Sequence, residues 1–165
     1  MATQIATSSP VSQLLNMFGM HDRLFKNVTA DLSGNVDQRL SADVNHLGWL
    51  AGHLVSTRYF LANVLGTEVQ EPHPDLFANG KGIDAEASYP SLDSSIAAWD
   101  EITATLATAF QNINADFLDA KAPFATPMGD TMADFFGFMA HHEAYHIGQM
   151  GILRKYFGHE GMKYN

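Results

Sequence analysis

The 165-residue chain has no cysteine, which excludes disulfide staples, thiolate metal ligation and a cysteine nucleophile together. Basic residues are scarce: 9 Lys and Arg stand against 18 Asp and Glu, for a formal charge of −9. Phosphate binding draws on Lys and Arg, so this balance argues against nucleic acid and against anionic membrane surfaces as partners. No run of about 18 consecutive apolar residues occurs, and the first residues show no basic start followed by an apolar stretch, so a soluble, cytoplasmic protein is expected. Charge of either sign makes up 16% of the chain against 46% hydrophobic residues, a composition for a packed core rather than for disorder. The length suits one domain, read as residues 1–165.

What is present is helical periodicity. Ser9 and Pro10 form a capping hydroxyl followed by a first-turn proline. Leu14, Phe18, His21, Phe25, Val28 and Leu32 then recur at steps of three and four, and Gly34 stands where a left-handed cap would end the helix. A second stripe begins near Ser41 and runs through Leu47, Leu50, Leu54, Thr57, Leu61 and Val64 to Gly66. A third follows Pro90 and Ser91 with Leu92, Ile96, Trp99, Leu106, Phe110 and Ile113. The fourth starts near Asp130 or Thr131, carries Phe135, Met139, His142, His146, Met150, Leu153 and Phe157, and closes at Gly158. Four amphipathic segments without an alternating strand pattern predict an all-α four-helix bundle with long inter-helix loops. The longer loop, Thr67 to Tyr89, exceeds the roughly 12 to 15 residues beyond which unstructured connections become uncommon, so it is read as a crossover or a lid. A second long connection is expected from Ala115 to Gly129.

Eight histidines are the unusual feature. His142 and His146 lie four apart on a predicted helix, hence stacked on one face about 6 Å along the axis, and on the stripe that should face the core. Neutral imidazoles there could share one metal ion, whereas charged ones would be costly to bury. A third ligand must come from another helix. His46 and His53 qualify, but seven residues of helix separate them by about 10.5 Å, so only one can readily serve. His21 is a second-line candidate with a structural role. The run His142-Glu143-Ala144-Tyr145-His146 also spells the HExxH of zinc peptidases. A metzincin-type third histidine would fall at Ile152, only Glu160 lies downstream as a carboxylate ligand, and no strand is predicted to bind a peptide, so a peptidase is set aside.

Asn45-His46-Leu47-Gly48-Trp49-Leu50-Ala51-Gly52-His53-Leu54 together with His142-Glu143-Ala144-Tyr145-His146-Ile147-Gly148-Gln149 resembles the DinB/YfiT-like family, whose members are read as metal-dependent enzymes. The resemblance implies a four-helix bundle with metal ligands His53, His142 and His146, and leaves His46 as a neighbour. It further implies a divalent ion, Zn or Ni by the preference of imidazole, and a reaction using a low-molecular-weight thiol as cosubstrate, since the chain has no thiol of its own. Thiol S-transfer to a small-molecule electrophile is the leading expectation. A metal-assisted hydrolase of a small substrate and a non-catalytic metal-binding bundle are the alternatives, and a homodimer is expected. Gln149, three residues after His146, is read as either a support for that ligand or a solvent-facing amide; Glu143 as a solvated helix residue or one acting through bound water. Arg154 could steer an acidic substrate or complement the helix dipole, and Trp49, Trp99 and the helical methionines are read as packing.

Overall fold

The computed structural model describes residues 9–77 and 80–164. In chain order it comprises α1 (Pro10–Thr29), a 3-10 turn (Ser33–Asn35), α2 (Leu47–Val64), the short α3 (Pro74–Phe77), α4 (Leu92–Gln111), the short α5 (Ala115–Asp119), β1 (Lys121–Thr126), β2 (Gly129–Thr131) and α6 (Met132–Tyr156). The four long helices are those expected from the periodicity. Ser9 caps α1 by accepting from the Ser12 amide, Ser91 caps α4 in the same way, and Thr131 with Asp134 makes a reciprocal capping box at α6.

Two boundaries differ from expectation. Helix α1 ends at Thr29 rather than near Gly34, because Asp31 takes the left-handed conformation (φ 61°) that stops it. Leu32, beyond that stop, is still fully buried. Helix α2 starts at Leu47 rather than near Ser41, because His46 is the capping residue, its Nδ1 accepting from the Trp49 amide at 3.0 Å. Burial lowers the His46 pKa, which keeps the ring neutral and its Nδ1 available as an acceptor.

The expected plain connection from Ala115 to Gly129 contains instead α5 and the hairpin β1–β2, paired antiparallel from Lys121↔Thr131 to Thr126↔Gly129. Gly129 adopts φ 149°, and a Cβ there would lie 2.2 Å from the Asp134 carboxylate that completes the α6 cap, so the glycine admits both the turn and the cap. The Met132 amide donates to the Ala120 carbonyl and fastens the hairpin to the start of α6.

Helix α1 packs on α4 and α6, and α2 packs on the same two, which makes a ring in which α1 and α2 lie diagonally across the core. Cross-helix contacts give the directions. Phe25 stacks on Trp99 and Phe18 on Phe110, so α1 and α4 are antiparallel. Trp49 meets His146 and Phe60 meets Phe135, so α2 and α6 are antiparallel. His21 meets Glu143 and Arg154 meets Ala30 at the end of α1, so α1 and α6 are parallel; α2 and α4 therefore run parallel too, and the segment between them must return the chain to the other end of the bundle. This is the crossover role foreseen for Thr67 to Tyr89. Its residues Glu71, Pro72, His73 and Phe77 lie at the α2–α4 groove, where Phe77 fills the space left by Gly52. No helix among the described residues is long and apolar enough to cross a membrane.

A Cβ at Gly52 would lie 2.2 Å from Phe77 Cζ. Gly52→Ala is therefore expected to expel Phe77, destabilise the protein by about 1–3 kcal/mol and speed proteolysis within 67–89. Urea unfolding with limited proteolysis checks this, and unchanged cleavage would show that Phe77 does not anchor the crossover.

Candidate metal centre

Helical spacing places His142 and His146 one turn apart on α6, and the antiparallel packing of α2 brings His53 against both. The Nε2 atoms of His53 and His142 are 3.2 Å apart, and those of His142 and His146 are 3.1 Å apart. One nitrogen from each of the three rings falls within 4.8 Å of the others. Three nitrogens bound at about 2.05 Å would stand about 3.3 Å apart in a tetrahedral site, so the spacing fits a single ion. Among the described residues no fourth His, Asp or Glu joins this group. His146 is buried while His53 and His142 are half-buried, so the cluster reaches the surface on one side.

Hydrogen bonding indicates which way the lone pairs face. The Gln149 amide oxygen accepts from His146 Nδ1 at 2.7 Å, which puts the proton on Nδ1 and leaves the Nε2 lone pair facing the cluster. The amide nitrogen of Gln149 donates to the Tyr145 hydroxyl at 3.1 Å, consistent with that orientation. A proton on His142 Nε2 could reach only one of its two neighbours, so protons alone leave this triangle under-satisfied and a cation satisfies all three lone pairs. Trp49 lies flat against His53, with ring centroids 4.7 Å apart and an interplanar angle of 9°, and shields that ring from water. Burial, reinforced by repulsion from the other two imidazoles, lowers His53 to about 3. Burial and His146 lower His142 to about 4. His146 is lowered by burial as well, against the opposing effect of its bond to Gln149. At neutral pH all three rings are neutral, the state that ligates metal.

The remaining candidates go elsewhere. His46 caps α2. His21 is buried in α1 and bonds Glu143 at 2.9 Å through Nδ1. Glu143 is not solvated: it is 1% exposed, and Arg58 Nε and Nη2 reach its two oxygens at 2.7 and 3.1 Å. Burial would raise this carboxyl, but Arg58 and His21 outweigh it and hold the group below the usual carboxylate range. Both oxygens are thus engaged on the side of α6 that faces α1. Arg154 donates to the backbone carbonyls of Glu160 and Ala30 and ties the C-terminal segment to α1. Trp99 is a core anchor as expected, stacked on Phe25 with centroids 4.0 Å apart, whereas Trp49 both packs and covers the His53 ring. Met139 and Met150 are buried, but Met17 is 38% exposed.

Sequence reasoning passed over Arg58 and Tyr145. Arg58 had a signal: it is the one Asp, Glu, Lys or Arg in the 18 residues of α2. A lone guanidinium in an otherwise uncharged helix needs a buried partner.

The fold and the cluster define a class, a four-helix bundle that presents three histidines from its second and last long helices to one point. The DinB superfamily matches residues 17–150, which takes in all three histidines and most of every long helix, and the chain belongs to that superfamily. No curated protein matches it.

The depressed imidazole pKa values set the sign of a pH effect. An unfolded histidine titrates near 6.5, so between that pH and the folded values the unfolded chain binds more protons. Stability of the metal-free protein is therefore complete above about pH 6.5 and falls as the pH drops toward the folded values. Urea midpoints in chelator from about pH 7.5 to about pH 5 should decline, and His53→Gln should flatten the decline. Parallel profiles for the two proteins would mean that His53 is not held neutral by burial.

Proposed function

We propose that the protein is a divalent-metal-dependent enzyme in which His53, His142 and His146 hold the ion, and that it transfers a low-molecular-weight thiol to a small electrophile. The observation that carries this reading is the convergence of three neutral Nε2 atoms, 3.1 and 3.2 Å apart, with no fourth His, Asp or Glu beside them among the described residues. Zn(II) and Ni(II) both suit three imidazoles. When bound, such an ion keeps its full charge and lowers the pKa of a thiol or water brought to its open side.

The surrounding residues support that chemistry. Gln149 keeps the proton on His146 Nδ1 and fixes the ring's orientation. Trp49 excludes water from one face of His53, lowering the local dielectric. Tyr145, at the exposed rim, accepts from Gln149 and so keeps its own O–H proton for a substrate group. The thiol must be external, because the chain has no cysteine. His53 and His142, which are only half-buried, favour an accessible site over a sealed structural one.

Metal analysis of untreated protein should find about one divalent ion per chain, and His53→Ala should lose most of it; equal content in both would remove His53 from the ligand set. Electrophile turnover should require an added low-molecular-weight thiol. Turnover of a small ester or amide without thiol would favour the hydrolase instead. A melting temperature that collapses on chelation, with no turnover in either assay, would favour a non-catalytic metal-binding bundle.

A further inference from the structure

The histidine cluster is not the only polar group in this core. Arg58 is fully buried at the bundle centre, and every long helix contributes to its surroundings. Its Nε and Nη2 bond Glu143 of α6, Nη2 also reaches the Phe18 carbonyl of α1 at 3.0 Å, and Nη1 bonds the Thr103 hydroxyl of α4. The guanidinium lies over Trp99 at 3.5 Å from a ring centroid. His21 of α1 bonds Glu143 Oε2, the oxygen that Arg58 Nη2 also reaches. The position of this cluster relative to the histidines is informative. Arg58 shares α2 with His53, and Glu143 adjoins His142 on α6, so the same two helices are joined twice: by the ion pair inside the bundle and by the imidazoles on its flank.

We propose that Glu143 is a positioning residue for the histidine cluster: clamped between Arg58 and His21, it sets the rotation of α6 about its axis and so the distance from His53 to the Nε2 atoms of His142 and His146. The proposal rests on the reading of these histidines as a metal site. Side-chain tips lie about 6 Å from a helix axis, so a rotation of about 20° moves an Nε2 by about 2 Å. Ligation tolerates about 0.2 Å. Apolar burial is non-directional, so by itself it specifies that rotation only weakly. A two-point Arg–carboxylate bond specifies it closely, because rotating α6 would break both contacts and strand a buried charge. His21 adds a third contact to the carboxylate, from α1.

The test uses two variants of the full chain. Glu143→Gln keeps shape and loses charge. The triple variant His21→Leu, Arg58→Met, Glu143→Met replaces the cluster with apolar groups, a change that cores often accept without loss of stability, and it preserves the test should the single variant misfold. Co(II) titration of metal-free protein is expected to show an affinity about 10–100-fold below wild type in either folded variant, with an altered visible d–d spectrum. Crystals of the metal-free variants are expected to show the three Nε2 atoms spread beyond the separations seen here. Wild-type affinity and spectrum in a folded variant, with the Nε2 atoms still 3.1 and 3.2 Å apart, would overturn the proposal and leave the cluster a purely structural element. If wild-type protein takes up no Co(II), the metal reading fails by itself, and the Nε2 separations in the variants still decide for or against the clamp.

Discussion

A guanidinium with no exposed surface is the constraint on which this bundle is organised. Removing such an ion from water costs several kcal/mol even after relaxation, so Arg58 requires partners for its donors and a carboxylate for its charge. Those partners come from α1, α4 and α6, the three other long helices. Losing one member of a buried pair typically costs about 3–5 kcal/mol, a large share of the roughly 5–15 kcal/mol that holds a domain folded. Apolar residues of similar volume would often be as stable. The ion pair therefore selects one arrangement of four helices more than it deepens the free-energy minimum of any of them.

The histidine cluster meets the same dielectric by the opposite route. Glu143 is held ionised by the facing Arg58 and His21, whereas burial, joined at His53 and His142 by repulsion from neighbouring imidazoles, keeps the three clustered histidines neutral. A neutral imidazole retains a lone pair, and three ring nitrogens within 4.8 Å of one another form a group that could hold a cation. Two kinds of polar group thus occupy neighbouring faces of α6, Glu143 turned inward and the histidines turned toward α2. Their roles separate even though His142 and Glu143 are consecutive in the chain.

Much of this was legible in the sequence. Steps of three and four located the long helices, and Ser9, Ser91 and Thr131 marked their starts. The hairpin was invisible because β1 buries only one of its six residues, so it carries no alternation for a pattern to detect. The start of α2 was misplaced because a histidine capped it where a serine a few residues earlier looked more suitable. Glu143 was misjudged because exposure is the usual state of a helical glutamate, and only Arg58, 85 residues away in the chain, makes its burial tolerable.

The sequence by itself determined whatever depends on a single helix. The 3.6-residue repeat puts His142 and His146 on one face whatever surrounds them, places Gln149 within reach of His146, and gives α1 and α4 a buried and an exposed face. The tertiary structure decided what depends on how helices meet: that His53 rather than His46 faces that pair, that Glu143 turns to Arg58 and His21, and that Phe77 fills the α2–α4 groove at Gly52. Helical geometry is local and can be read from spacing. Helix rotation and partner choice arise from buried charge and packing between residues far apart in the chain, which spacing does not record.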